Sequence, residues 1–408
     1  MLYSNKSLWL CDFVILYSLF AFNRIKALFM PSRNGMTMNN LIVILLIVGF
    51  IITVLNRKVW FHFFLLISFS VFVLLFFVSF VKTNDALQTL YALLVMICPL
   101  LFSICLPAIS KSDFLVFVRH VAFYSTVYAL LAIIAVYNYS SLLSFLGNAS
   151  ETQGKQVRAS LPLGSSITVS YYLNASLPLL LFLFSTEKRK TWRIIYFSGI
   201  VLNVIATLLE LSRSSVITMC IILLVFFYFF RKEMRGRLVL VIVVLVASVL
   251  FLSMFANLTR ILNIAKGFSN DGRFGAWRIA MGLFKEQPLA GTGIATYYQR
   301  LWTGTNVISI NGETSLIDPH SAFFLVLSEL GLLGIFGFLL MFSYMYRRIM
   351  SLRDNSIRNT GLLILVGVSI NSIVGSQLVN EINYSLIVYI YFFSFICLSL
   401  KPSLQIRK

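Results

Sequence analysis

Twelve long apolar runs, each parted from the next by a short polar stretch, leave this chain few ways to fold. They fall at about residues 8–28, 41–55, 59–81, 86–109, 114–137, 166–185, 194–211, 214–230, 238–257, 321–346, 360–378 and 383–400. A helix needs roughly twenty apolar residues to cross a bilayer. Most of the runs reach that length; the one at 41–55 is short and tilts or extends through its flanks. None shows the alternation of a lipid-facing strand, so helices must satisfy the backbone inside the membrane. With 59% hydrophobic and only 12% charged positions, the composition excludes an ordinary soluble domain. The expected fold is an all-α polytopic membrane protein of about twelve transmembrane helices, a single integral membrane domain over residues 1–408.

The net charge of +19 suggests nucleic acid at first sight. Here, however, Lys and Arg sit in short clusters between apolar runs, where they set topology and meet anionic lipid head groups. Membrane lipids are therefore expected partners and nucleic acid is not. The clusters "EKRKTWR", "RKEMRGR" and "RRIMSLRDNSIR" follow the sixth, eighth and tenth runs and mark the cytoplasmic side. Both termini then come out cytoplasmic. Arg24, Lys26 and Arg33 fall on the outer side in this scheme: either the first run does not span conventionally or the later loops override it. That first run lacks a small-residue cleavage site and is expected to be retained. The five cysteines all lie in apolar runs and read as small buried hydrophobes.

This orientation puts residues 138–165 and 258–320 outside, the second being much the longest connection. Loops of that size usually carry function. Within it, "NDGRFGAWRIAMGLFKEQPLAGTG" predicts a helix capped by Asp271 and ended by Pro288, with Phe274, Trp277, Met281 and Phe284 recurring along one face. Such a helix lies along the membrane surface. Arg273 and Trp277 stand one turn apart on it. They read plainly as an interfacial anchor, or alternatively as a guanidinium held beside an aromatic for an anion.

Ionisable residues inside apolar sequence are expensive and mark functional sites. Glu210 and Arg213 interrupt "LLELSRSSVIT" in this way; their spacing permits an ion pair, or else leaves Arg213 for an anion at the outer face. In "DPHSAFFLVLSELGLLGIFG", Asp318 is expected to cap a helix with Pro319 at its first position and His320 in its first turn. There the helix dipole favours a neutral imidazole able to accept a proton; the plain alternative is a polar interface residue. His62 and His120 fall on the cytoplasmic side as interface residues. The outer loops hold no acidic pair for a divalent cation, and the chain has no P-loop or nucleotide fingerprint. Any chemistry then rests on arginine and on a substrate that arrives activated.

Three motifs give the sequence its resemblance to the O-antigen ligase family, which shares a membrane domain with O-antigen polymerases and some protein O-oligosaccharyltransferases. His320-Ser321, nine residues and Gly331-Leu332-Leu333-Gly334 fit the ligase pattern of His, then Asn, Ser or Gln, then Gly-x-x-Gly. Arg273-x-x-x-Trp277 followed by "QPLAGTG" resembles the family's Arg-x-x-x-Trp and Pro-x-x-Gly-x-Gly block, and "SRSS" at Arg213 its Ser-Arg-Gly/Ser block, with Ser214 where many members have Gly. The match is specific over roughly residues 205–345. It implies a metal-independent membrane glycosyltransferase, without cofactor, in the bacterial inner membrane. The donor is a polysaccharide on undecaprenyl pyrophosphate, the acceptor a sugar hydroxyl of lipid A-core, and the site faces the periplasm. His320 is then the candidate base and Arg213 and Arg273 the pyrophosphate binders. Glu210 orients Arg213, Trp277 supports Arg273, and Lys155 and Arg158 contact either substrate. An O-antigen polymerase with the same donor is the nearest alternative. A transporter or flippase of lipid-linked sugars is the next; it predicts charged residues near the midplane and an internal repeat, and no repeat stands out.

Overall fold

The computed structural model describes residues 109–137, 150–153, 156–159, 165–210, 212–230, 272–294, 296–297, 308–310, 313–315, 319–380 and 382–399, with isolated positions between 11 and 19 and between 70 and 75. In chain order the elements are α1 (Lys111–Tyr137), a hairpin of β1 (Ser150–Gln153) and β2 (Gln156–Ala159), α2 (Ser166–Thr186), α3 (Lys190–Leu209), α4 (Arg213–Phe230) and α5 (Gly272–Glu286). There follow a second hairpin of β3 (Ile308–Ile310) and β4 (Glu313–Ser315), then α6 (Ala322–Met350), α7 (Asn355–Val374), the single turn α8 (Gln377–Asn380) and α9 (Ile382–Ser399). Both hairpins are antiparallel, pairing Ser150 with Ala159 and Ile308 with Ser315. They are the departure from a purely helical fold, and they sit in the two connections read as outer loops.

Among the described residues five helices are long and apolar enough to cross a membrane: α1, α2, α3, α6 and α7. The apolar stretches of α4 and α9 are shorter. These seven helices match the expected runs from 114–137 to 383–400 within a few residues, apart from the run at 238–257. That run and the first four lie outside the described residues, save for the isolated helical positions.

The bundle is built around α2, which is buried along almost its whole length from Ser166 to Leu183. Large apolar side chains such as Phe123, Ile194, Leu224, Phe336 and Leu339 point outward. Serine, asparagine and tyrosine instead fill positions between helices. Ser125 of α1 and Ser176 of α2 lie 2.7 Å apart, and Asn203 of α3 donates to Ser125 at 3.0 Å. Apolar outside and hydroxyl-rich inside is the pattern of helices packed in lipid, where small and polar residues join neighbours. Gly199 shows the close approach this allows, since a methyl there would lie 2.6 Å from Thr126 Oγ1.

The helices run alternately. One end of the bundle gathers the start of α1, the α2–α3 turn and the α6–α7 turn, tied by Lys111 to Asp354 at 2.6 Å and Arg119 to Glu187 at 3.6 Å. The opposite end gathers the start of α2, the α3–α4 turn, the start of α6 and the end of α7. His120 was expected to be a plain interface residue. It instead lies 2.6 Å from the buried carboxylate of Asp12, a contact between segments 108 positions apart. Of the described cysteines, Cys11 and Cys397 are buried, as expected of small hydrophobes, and Cys220 is half-buried.

Candidate functional site

The expected site residues that the structure describes fall at the end of the bundle opposite the ion pairs. α3 ends at Glu210, whose side chain is fully buried, and α4 opens at Arg213. The two do not share one helix. The α3–α4 turn separates them, at the break expected between the runs 194–211 and 214–230. Hydroxyls hold the first turn of α4. Ser215 Oγ lies 2.6 Å from Ser170 Oγ and donates to Ser212 Oγ at 2.9 Å, and Ser212 and Ser214 lie 3.1 Å apart. Asn174 Nδ2 donates to the Ser215 carbonyl at 2.9 Å. Two of these partners, Ser170 and Asn174, come from α2. The "SRSS" block is thus a polar seam that fixes where Arg213 starts its helix.

The His320 corner differs from expectation. Asp318 lies outside the described residues, and neither Pro319 nor His320 is helical. The cap is Ser321, whose side chain accepts from Phe324 N at 3.4 Å. His320 stands just off the helix end with φ 45, a left-handed conformation that is uncommon away from glycine and collects at functional sites. A proline before the cap explains the error: Pro319 favours a first helical position, but Ser321 offers the better capping oxygen.

α5 runs from Gly272 to Glu286 and ends short of Pro288, as the pattern predicts; its proposed cap Asp271 lies outside the described residues. Its buried face is Ala276, Ala280 and Leu283 rather than the aromatic stripe, and Phe274 is 46% exposed. Small residues on that face let α5 lie close against α6. Trp277 has a sharper role than an anchor. Its Nε1–H donates to the Pro319 carbonyl at 2.7 Å, and its ring stacks on Phe324 with centroids 4.9 Å apart. The helix bearing Arg273 is thereby fastened to the residue before His320.

The two glycine motifs form one unit. At Gly331, φ 63 and ψ −157 break α6, so Leu332 and Leu333 lose the carbonyls of Ser328 and Glu329 four residues back. The loop after α5 replaces both bonds from each side. Leu332 N donates to Pro288 O at 2.9 Å and Leu333 N to Leu289 O at 3.1 Å, while Thr292 N donates to Ser328 O at 3.1 Å and Gly293 N to Glu329 O at 3.0 Å. Backbone meets backbone so closely that a methyl on Gly291 would lie 2.3 Å from the Glu329 carbonyl, and one on Gly331 would lie 2.6 Å from Gly291 N. Gly334 makes room of another kind, since its methyl would fall 2.2 Å from Leu330 Cβ. Glu329, 3% exposed, also accepts from Tyr297 N at 3.2 Å.

Arg158 lies in β2 and is 8% exposed, and Lys155 lies outside the described residues. The contacts of Tyr171, Glu329 and Asp12 escaped sequence reasoning. Only the two acids carried a signal, being charges within apolar runs. Among the described residues no group of three or more His, Cys, Asp or Glu gathers in a metal-binding arrangement.

No curated protein matches the chain at a significant level. One solved structure, described as "Structural coordination of polymerization and crosslinking by a peptidoglycan synthase complex", is similar at 14% identity and a TM-score of 0.46, covering 82% of this chain and 96% of that one. That likeness is too distant to bear on function. Residues 198–339, which contain Arg213, Arg273, Trp277, His320 and both glycine motifs, match the family model described as O-Antigen ligase, so over that segment the chain is similar to that family.

Proposed function

We propose that this protein transfers a polysaccharide from undecaprenyl pyrophosphate to a sugar hydroxyl of lipid A-core. The family domain supports transfer of ligase or polymerase type. The observation that carries the reading further is the tethering of separate motifs to one corner: Trp277 joins the Arg273 helix to Pro319, and the first turn of α4 lies at the same end of the bundle. The opposite end carries Lys188, Arg189, Lys190, Arg347 and Arg348 and faces the cytoplasm by the positive-inside rule. The His320 end then faces the periplasm, where both lipid-borne substrates meet.

In the reaction the acceptor oxygen attacks the anomeric carbon of the glycan, forming the new glycosidic bond as the bond to pyrophosphate breaks. His320 accepts the proton released by the acceptor hydroxyl. Arg213 and Arg273 neutralise the departing pyrophosphate, a task suited to a planar guanidinium that bonds two oxygens at once. Glu210 orients the Arg213 segment, and Lys155 and Arg158 contact either substrate.

Purified protein in detergent, given lipid-linked glycan and lipid A-core, is expected to yield core extended by polymer and to do so in EDTA. A longer glycan still on its lipid, with unextended core, would make the protein a polymerase. Activity lost in EDTA and restored by a divalent metal would sink the arginine mechanism.

A further inference from the structure

We propose that Tyr171 is a positioning residue that holds the Arg213 helix and the His320 corner in register, a role that rests on the transferase reading. Tyr171 lies on α2, outside both the matched segment 198–339 and all three motifs. Its side chain is 1% exposed. Its hydroxyl lies 3.1 Å from Ser214 Oγ, the residue after Arg213, and donates to the Val374 carbonyl at 3.2 Å. The next carbonyl, that of Gly375, accepts from Ala322 N at 2.9 Å, two residues after His320. One phenol therefore bridges the start of α4 to the end of α7, and the end of α7 in turn grips the start of α6.

The bridge is built for rigidity. The Tyr171 ring packs against Tyr384 of α9 with centroids 6.3 Å apart, and its neighbours Ser170 and Asn174 bond the same turn of α4. A group that binds the leaving pyrophosphate and a group that takes the acceptor proton must hold their separation within a fraction of an ångström for the transfer step, though not for binding either substrate alone. Removing the bridge should slow transfer and spare binding.

The test compares Tyr171→Phe with Tyr172→Phe, an adjacent, fully buried tyrosine whose hydroxyl faces Ser125 and Tyr391 rather than the ends of α4 and α7. Tyr171→Phe is expected to lower kcat about ten- to a hundredfold, with the Kd for lipid-linked donor within about threefold and the unfolding temperature close to that of Tyr172→Phe. Amide exchange should rise together over 212–218 and 320–325 in Tyr171→Phe only. In a cycle with Ser214→Ala, the double variant should lose no more kcat than Tyr171→Phe alone, because both cut one path. Multiplying losses, a weakened donor Kd, or a kcat equal to wild type in Tyr171→Phe each overturn the positioning role. Wild-type protein that transfers no glycan overturns the transferase reading itself, which an active wild type with an equally active Tyr171→Phe does not.

Discussion

The two ends of the bundle are joined by different chemistry. At the end with the basic turns, ionisable side chains meet ionisable side chains: Lys111 with Asp354, Arg119 with Glu187, and His120 with Asp12. At the His320 end most of the described joints are neutral, made by serine and tyrosine hydroxyls, an indole N–H and bare backbone, with the Glu329 carboxylate accepting from Tyr297 N beside them. The Lys111–Asp354 pair is exposed enough for water to compete for both partners, so it is weak and tolerates movement. Buried neutral hydrogen bonds between fixed backbones tolerate little. One end thus includes a joint that needs no exact geometry, and the other is joined mainly by buried hydrogen bonds that hold it fixed.

The sharpest way to break this comparison is at the proposed chemistry. His320→Ala is expected to fold and bind lipid-linked donor yet lose about 10²–10⁴-fold in rate. Arg213→Ala and Arg273→Ala should lose at least as much, with Lys restoring little. A His320→Ala variant that transfers normally removes the base role, and wild-type turnover in Arg273→Lys returns that residue to a lipid anchor.

The backbone clasp comes next. Gly291→Ala places a methyl 2.3 Å from the Glu329 carbonyl at a residue with φ 68, and should cost about 3 kcal/mol or more, seen as lost folded yield. Gly282→Ala on the same stretch meets nothing within 4 Å and should be neutral or slightly stabilising. Equal effects of the two would dismiss the clasp.

Trp277→Phe keeps the stack on Phe324 and removes only the bond to Pro319, so transfer should fall by about tenfold with little change in unfolding temperature.

The smallest effect belongs to the other end. Asp354 caps α7 through Ser356 N and Ile357 N. Partial burial pushes its carboxyl up, but Lys111 and those two N–H groups hold it net below the ordinary carboxylate value. Stability from a lowered pKa is present above the unfolded value and lost as pH falls through the folded one, below about pH 4. Asp354→Asn keeps the cap, should change unfolding at neutral pH by under about 1 kcal/mol, and should flatten part of that acid limb. A large neutral-pH loss of activity would show that this end also sets the site.

Much of this architecture is readable from periodicity and composition. Hydropathy locates the seven described helices of the bundle because crossing a bilayer imposes length, and the glycine and arginine blocks point to the right stretches of chain. What escapes is whatever depends on a distant partner. The run 321–346 reads as one unbroken helix because glycine is common in spans, and the loop that replaces the lost bonds at Gly331 lies some forty residues earlier. His320 was placed a turn too far in because two capping signals compete within four residues. Tyr171 carries no mark at all, since a tyrosine in an apolar helix looks the same whether its hydroxyl faces a neighbour or a strategic turn.

The break at Gly331 also bears on how the protein is made. Alone in hydrocarbon, α6 has no second set of donors and acceptors, and an unpaired peptide group there costs several kcal/mol. A segment covering residues 320–350 should therefore enter the bilayer as a straight helix with its own ladder intact. Bending follows only when Pro288–Gly293, already synthesised, slides in and exchanges partners. Biogenesis then has a late step, after translocon release, in which lateral insertion and docking are separate events. A micelle-bound peptide of that segment should show continuous helical amide protection through Leu332 and Leu333, and a peptide bent at Gly331 by itself would rule the late step out.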